Sequence, residues 1–192
     1  MAWIKLGSTT LTTTADVINS GTFTASKFIF GMTHIFASGG NKAPDLRFDQ
    51  TGGTAYATRY CPNGGADVAT ETSQPDIKGI GPTGDDDFVI YYAVNIGTEE
   101  KLVIMSQVNR NALGSGYFPY REETVGKYAQ TSAQVTEVGI INTSTGDYTA
   151  DSNFTAIGSN GTEELNVQDG AIYYDTDLNK EYVLYNNTWT EV

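Results

Sequence analysis

The run Asp86-Asp87-Phe88-Val89-Ile90-Tyr91-Tyr92-Ala93-Val94-Asn95-Ile96-Gly97-Thr98-Glu99-Glu100-Lys101-Leu102-Val103-Ile104-Met105-Ser106-Gln107-Val108-Asn109 decides the fold. Its even positions Phe88, Ile90, Tyr92, Val94 and Ile96 are all apolar, a period-two pattern that predicts a strand with that face buried. Lys101–Asn109 repeats the pattern. Leu102, Ile104 and Val108 share one face, and Val103, Met105, Gln107 and Asn109 share the other, which turns polar toward its end. The connection Gly97-Thr98-Glu99-Glu100 has the length of a hairpin loop and is far too short for a parallel crossover. An isolated hairpin is marginal in water, so more strands and a second layer are needed to cover its apolar face.

Composition points the same way. The 192 residues suit one main domain with a small appendage. Twenty-one glycines, twelve tyrosines and only 18% charged residues describe a turn-rich, β-rich chain and exclude a helical bundle. Asp and Glu outnumber Lys and Arg by 23 to 11, and the formal charge of −12 repels phosphate backbones, which argues against a nucleic-acid partner. Cys61 is the only cysteine, so there is neither an intrachain disulfide nor a cysteine-ligated zinc site. The opening Met1-Ala2-Trp3-Ile4-Lys5-Leu6-Gly7 lacks a basic start and an apolar core, and no run approaches membrane-spanning length. A protein made in a cytoplasm, without membrane insertion, is expected.

Along the chain, Trp3–Leu6 and the Thr-rich run after it read as an edge strand. Lys27–Phe36 reads as a sandwich-core strand, with Phe28, Phe30, Met32, His34 and Phe36 on one face and Ile29, Thr33 and Ile35 on the other. Ser38–Pro44 is a loop. Asp45–Asp49 and Tyr56–Tyr60 read as a second hairpin, Cys61–Gly84 as a long surface loop, and Asn111–Tyr120 as another loop. Strands are expected within Gln134–Asn142 and Tyr148–Ile157, then a linker over Gly158–Thr162. The tail carries Ala171–Tyr174, Glu181–Tyr185 and Thr188-Trp189-Thr190 as a compact β-hairpin unit. Eight to ten strands in all predict an all-β antiparallel sandwich of jelly-roll type over 1–160, with a C-terminal hairpin module over 161–192.

Candidate chemistry is sparse. His34 is the only histidine and lies mid-strand among Phe30, Met32 and Phe36, as a core or interface histidine would. No Gly-x-Ser-x-Gly motif occurs, so no enzyme is expected and no catalytic residue is assigned. Asp85, Asp86 and Asp87 offer hard oxygen ligands for calcium; the alternative is a solvated strand entrance. Asp175-Thr176-Asp177-Leu178-Asn179 begins like an EF-hand loop but continues with Lys180 where glycine is required, so it reads as a turn. Glu122 and Glu123 could pose as an acid/base pair, but neighbours on an extended chain point to opposite faces, which favours structural salt bridging. Tyr117, Phe118 and Tyr120 form an aromatic cluster suited to a buried loop anchor, a subunit contact or stacking on sugar rings.

Several stretches together carry a resemblance: Trp3-Ile4-Lys5-Leu6-Gly7, Asp45-Leu46-Arg47-Phe48-Asp49 with Thr51–Tyr60 and Asn63-Gly64-Gly65, Glu99-Glu100-Lys101-Leu102, and Arg121–Ser132. Over 1–160 the chain resembles a poorly characterised family of virion structural proteins common in marine viral sequences. Gly170–Thr176 with Asn179–Tyr182 and Asn186–Trp189 is similar to short β-modules that end many phage tail and fibre proteins. The resemblance implies a jelly-roll-like particle component located in the virion: a capsid decoration, spike or fibre-head subunit. Its expected partners are other virion proteins and host surface glycans. A carbohydrate-binding sandwich is the alternative. Long loops and edge strands that need cover predict a cyclic homo-oligomer, with the viral resemblance suggesting a trimer.

Overall fold

The computed structural model describes residues 3–36, 41–67, 69–79, 85–161, 170–186 and 188–192. All regular elements among them are antiparallel β-strands, fourteen in number. Two compact units result, one spanning Trp3–Asn160 and one within Gly161–Val192.

The larger unit is an asymmetric sandwich. One layer is an eight-stranded sheet made of β1 (Ile4–Thr10), β3 (Phe28–Ile35), β5 (Tyr56–Pro62), β6 (Ala69–Gln74), β7 (Asp87–Val94), β8 (Lys101–Asn109), β9 (Tyr120–Tyr128) and β11 (Asn153–Ser159). Their spatial order is β1-β11-β3-β7-β8-β9-β5-β6. The other layer has only three strands, β2 (Val17–Asn19), β10 (Val138–Asn142) and β4 (Pro44–Phe48), in the order β2-β10-β4. The expected central hairpin is present as β7 and β8, with Tyr91 opposite Met105 and Phe88 opposite Val108.

The buried side of that hairpin corrects the sequence reading. Val89, Tyr91 and Ala93 point into the core with Val103 and Met105, whereas Phe88, Tyr92, Leu102, Ile104 and Val108 are exposed. β3 behaves alike: Ile29, Thr33 and Ile35 are buried, while Phe28, Phe30 and His34 are half-buried and Met32 is exposed on the opposite face. Trp3, before edge strand β1, is also exposed.

Three further expectations are corrected. β4 and β5 do not form a hairpin, because they lie in different layers. Their link is the Tyr56 hydroxyl, which accepts from the Phe48 N–H at 2.9 Å and donates to the Phe48 carbonyl at 3.2 Å. Cys61–Gly84 is not all loop, because β6 pairs along β5 and Ile77 bridges to Leu46. Gly158 and Ser159, expected in a linker, complete β11 opposite Ile29 and Phe28. Eleven strands belong to the larger unit, more than the sequence count for the whole chain. Ser38-Gly39-Gly40, Gly81–Gly84 and Thr162, read as loop or linker, lie outside the described residues.

The core between the layers gathers Ile18, Leu46, Phe48, Val138, Ile140 and Tyr148 against Tyr56, Tyr91, Tyr128 and Phe154. Tyr56 stacks on Tyr128 with ring centroids 4.7 Å apart. Gly31 is required where it stands, since a Cβ there would lie 2.1 Å from the Tyr91 ring.

One end of the sandwich is sealed by buried charge. Lys42 and Asp87, both with inaccessible side chains, pair at 2.6 Å, and Asp87 also accepts from Asn109 at 2.7 Å. Lys78 bridges Asp45 and Asp76, each at 2.9 Å, and Arg47 reaches Asp76 at 3.2 Å. Glu122 projects inward nearby with the Thr124 hydroxyl at 3.5 Å. Three cations thus face four carboxylates, and the charges balance when Glu122 is protonated. Burial is the main cause that pushes its carboxyl up to about 7, and the charges of Asp45 and Asp87 add to it. Burial likewise raises Asp87 despite Lys42.

A carboxyl raised on folding stabilises the protein most while protonated in both states; that stability is lost as pH rises from about 4.5 to about 7. Glu122→Gln is therefore expected to be more stable than the parent at pH 8 by about 2 kcal/mol. The gap should close below pH 5. Urea unfolding of both proteins from pH 4 to 8 checks this, and a pH-independent difference would contradict it.

Candidate functional site

Three strands cannot cover eight. Within the larger unit, the described residues of the second layer and its loops shield one face of the large sheet and leave the other uncovered, and that face is apolar across its middle.

The strand register aligns the outward-facing residues in rows. Ile157 of β11 lies beside Phe30 of β3, Phe30 beside Tyr92 of β7, Tyr92 beside Ile104 of β8, and Ile104 beside Val125 of β9. Lys5 on β1 and Arg59 on β5 close this row at its two ends. A second row runs Met32, Ile90, Ser106, and a third runs His34, Phe88, Val108. Phe30 and Tyr92 touch, with ring centroids 4.7 Å apart. Ile104 and Leu102 are 61% and 60% exposed and Tyr92 and Val125 51%, values far from those of core residues.

The dimensions follow from strand geometry. Five strands about 4.8 Å apart and about eight residues long present a face of about 20 Å by 25 Å, or about 500 Å² in projection. It is apolar on β3, β7 and β8, about three-fifths of that area, while β9 turns Arg121, Glu123 and Lys127 outward and only Val125 and Ile157 carry the apolar row onto β9 and β11. The apolar part, about 300 Å² in projection, falls within the ~300–600 Å² of the largest apolar patch of a monomer, and such patches are often functional. Most charged groups at the margins are paired: Lys127 with Glu100 at 2.7 Å, Arg110 with Asp86 at 2.5 Å, Arg121 with Glu123 at 3.8 Å and Arg59 with Asp67 at 3.5 Å, while Lys5 makes no ion pair among the described residues.

The residues singled out from sequence fall elsewhere. Asp85 and Asp86 are engaged by Arg110, while Asp87 is turned inward onto Lys42, so the three carboxylates do not converge. The solvated-entrance reading therefore fails for Asp87. Among the described residues there is no group of three or more carboxylate, cysteine or histidine ligands that could hold a metal ion. Tyr117, Phe118 and Tyr120 are exposed, with Phe118 and Tyr120 edge to face at 5.9 Å, so they are not a buried anchor within this chain. His34 is half-buried on the uncovered face, against Phe36 at 4.3 Å, and is not a core histidine. Glu122 and Glu123 lie on opposite faces, as alternation required, with Glu123 on Arg121.

The smaller unit is a three-stranded sheet of β12 (Ile172–Asp175), β13 (Lys180–Tyr185) and β14 (Thr188–Glu191). Asp175 accepts from the N–H groups of Asp177 and Leu178 at 3.0 Å each, which confirms a turn in place of a cation loop. Tyr173, Asp175, Tyr182 and Trp189 line an open cleft of about 360 Å³ on one side of this sheet. Tyr173 lies 6.1 Å from Tyr182 and 6.0 Å from Trp189, centroid to centroid.

Neighbouring residues on β8 offer a test of which face is the core. In dilute solution Ile104→Lys is expected to change stability by less than about 1 kcal/mol, whereas Val103→Lys, which buries a charge, should cost more than about 3 kcal/mol. Thermal melting of the two variants decides it, and equal losses would refute the assignment. Comparison with protein-family models, curated proteins and solved structures finds no match for this chain.

Proposed function

We propose that this chain is a structural protein of a virus particle, acting by assembly. The observation that carries this reading is the uncovered apolar face of the eight-stranded sheet, whose most exposed large side chains, Leu102 and Ile104, lie on its central strand β8. A chain that functions alone in water gains nothing from such a surface, while a subunit buries it on docking. The resemblance of 1–160 to marine virion proteins supplies the context, namely a capsid decoration, spike or fibre-head subunit that meets other virion proteins.

A second reading, carbohydrate binding, is favoured by the cleft on the smaller unit. Exposed aromatic faces beside a carboxylate suit the C–H and hydroxyl groups of a sugar ring, and a fibre-end module needs such a contact to attach to a host.

The protein is expected in purified particles. Mass spectrometry of density-banded virions from a culture carrying the gene should find it at a fixed ratio to the major coat protein. Its presence in the lysate but not in the particles would overturn the structural reading. If glycans retained by the full chain on an array are lost with Trp189→Ala, the second function is added. Failure to retain any removes it.

A further inference from the structure

The uncovered face constrains its own partner. Its centre on β3, β7 and β8 carries no carboxylate among the described residues, and its marginal charges are paired apart from Lys5 on β1, so a strongly acidic or basic surface finds little complement there. The partner must be apolar, nearly neutral, and shaped to a sheet of right-handed twist about 20 Å wide. A second copy of this face meets all three conditions. Two sheets of the same twist pack face to face at about −30°, about 10 Å apart, with their side chains interdigitated.

Size and closure agree. About 500 Å² in projection, an apolar centre on β3, β7 and β8 with a polar rim on β9 and β11, grows with side-chain relief toward the ~800 Å² per partner of a stable interface. A patch that pairs with itself uses itself up, so the assembly closes at two and leaves no apolar face to propagate a fibre. We propose that two copies of the chain pair through the outer faces of β11, β3, β7, β8 and β9 about a two-fold axis, making a four-layer stack with the two eight-stranded sheets innermost. This rests on the assembly reading of the same surface and names its partner.

Charge gives the pairing a recognisable signature. Each copy carries a formal charge of −12, so the copies repel until salt screens them. Association should therefore tighten as ionic strength rises, the reverse of what binding to a basic partner would show.

Sedimentation equilibrium of the full chain from about 1 to 200 µM, in about 0.05 M and 0.5 M NaCl, tests the pairing. The expected result is a reversible dimer of the 20.7 kDa chain with a lower dissociation constant at high salt. Ile104→Lys, and independently Tyr92→Lys, should reduce the mass to that of the monomer at all concentrations with an unchanged circular dichroism spectrum. A monomeric parent at every concentration and salt overturns the pairing, as does a trimeric mass. So does a dimer that survives both substitutions, or one that weakens with salt. The virion incorporation assay then separates this failure from that of the assembly reading. A monomeric parent whose Ile104→Lys variant is lost from particles leaves the face as a contact for another virion protein. A monomeric parent whose variant is incorporated normally ends both.

Discussion

The structure depends on an inequality of areas. Antiparallel pairing with the central β7–β8 hairpin carries the large sheet outward to eight strands, while the chain returns only β2, β10 and β4 to cover it. Both faces of the central strands are built from apolar residues, so the side on which the short layer settles becomes the core and the other becomes surface. Every later feature follows from that choice: the inward ring of Tyr56, Tyr91, Tyr128 and Phe154, the need for glycine at position 31 under Tyr91, and the outward rows through Phe30, Tyr92 and Ile104.

The polar residues on the inner side show why that side was chosen. Lys101 ends β8 with its ammonium on the backbone carbonyls of Glu99 and Gln130, at 2.7 and 2.5 Å. At the opposite end of the same strand, Asn109 holds Asp87. These groups are not solvated surface; they tie loop backbone to the ends of the core, and each is satisfied where it is buried. The layer is thus closed at both ends by hydrogen bonds that apolar side chains could not make. The outer rows are built instead mainly from Phe, Tyr, Ile, Leu and Val side chains, many of them exposed.

This division explains what could be read from sequence and what could not. The hairpin, its loop at Gly97–Glu100 and the partnering of β7 with β8 were legible because alternation and loop length specify register directly. The buried side was not legible, because Phe88, Ile90, Tyr92 and Val94 are at least as apolar as Val89, Tyr91 and Ala93, and periodicity cannot rank two apolar faces. The polar end of Val103, Met105, Gln107, Asn109 pointed to solvent, whereas tertiary hydrogen bonds bury it. The short spacing of β4 and β5 suggested pairing, yet the chain uses that loop to change layers. β6 was missed because Ala69–Gln74 is threonine-rich with no apolar alternation, as an edge strand can be. Attention to residues with evident chemistry, Asp85–Asp87 and Tyr117–Tyr120, led away from the surface, whose only signal was an excess of Phe, Ile and Leu on strands already explained as core.

The path of the chain through the sheet also sets the order in which it can fold. β3 at residues 28–35 is flanked on one side by β7 and on the other by β11 at residues 153–159, and β1 pairs only with β11. During synthesis the first strands therefore emerge long before the strand that joins them, leaving the open edge of β3 and the free β1 unpaired until the last residues of the larger unit appear. Such non-local pairing slows folding and prolongs the exposure of strand edges. The arrival of β11 pairs the edge of β3 and the free β1 in one step, so both open edges disappear together.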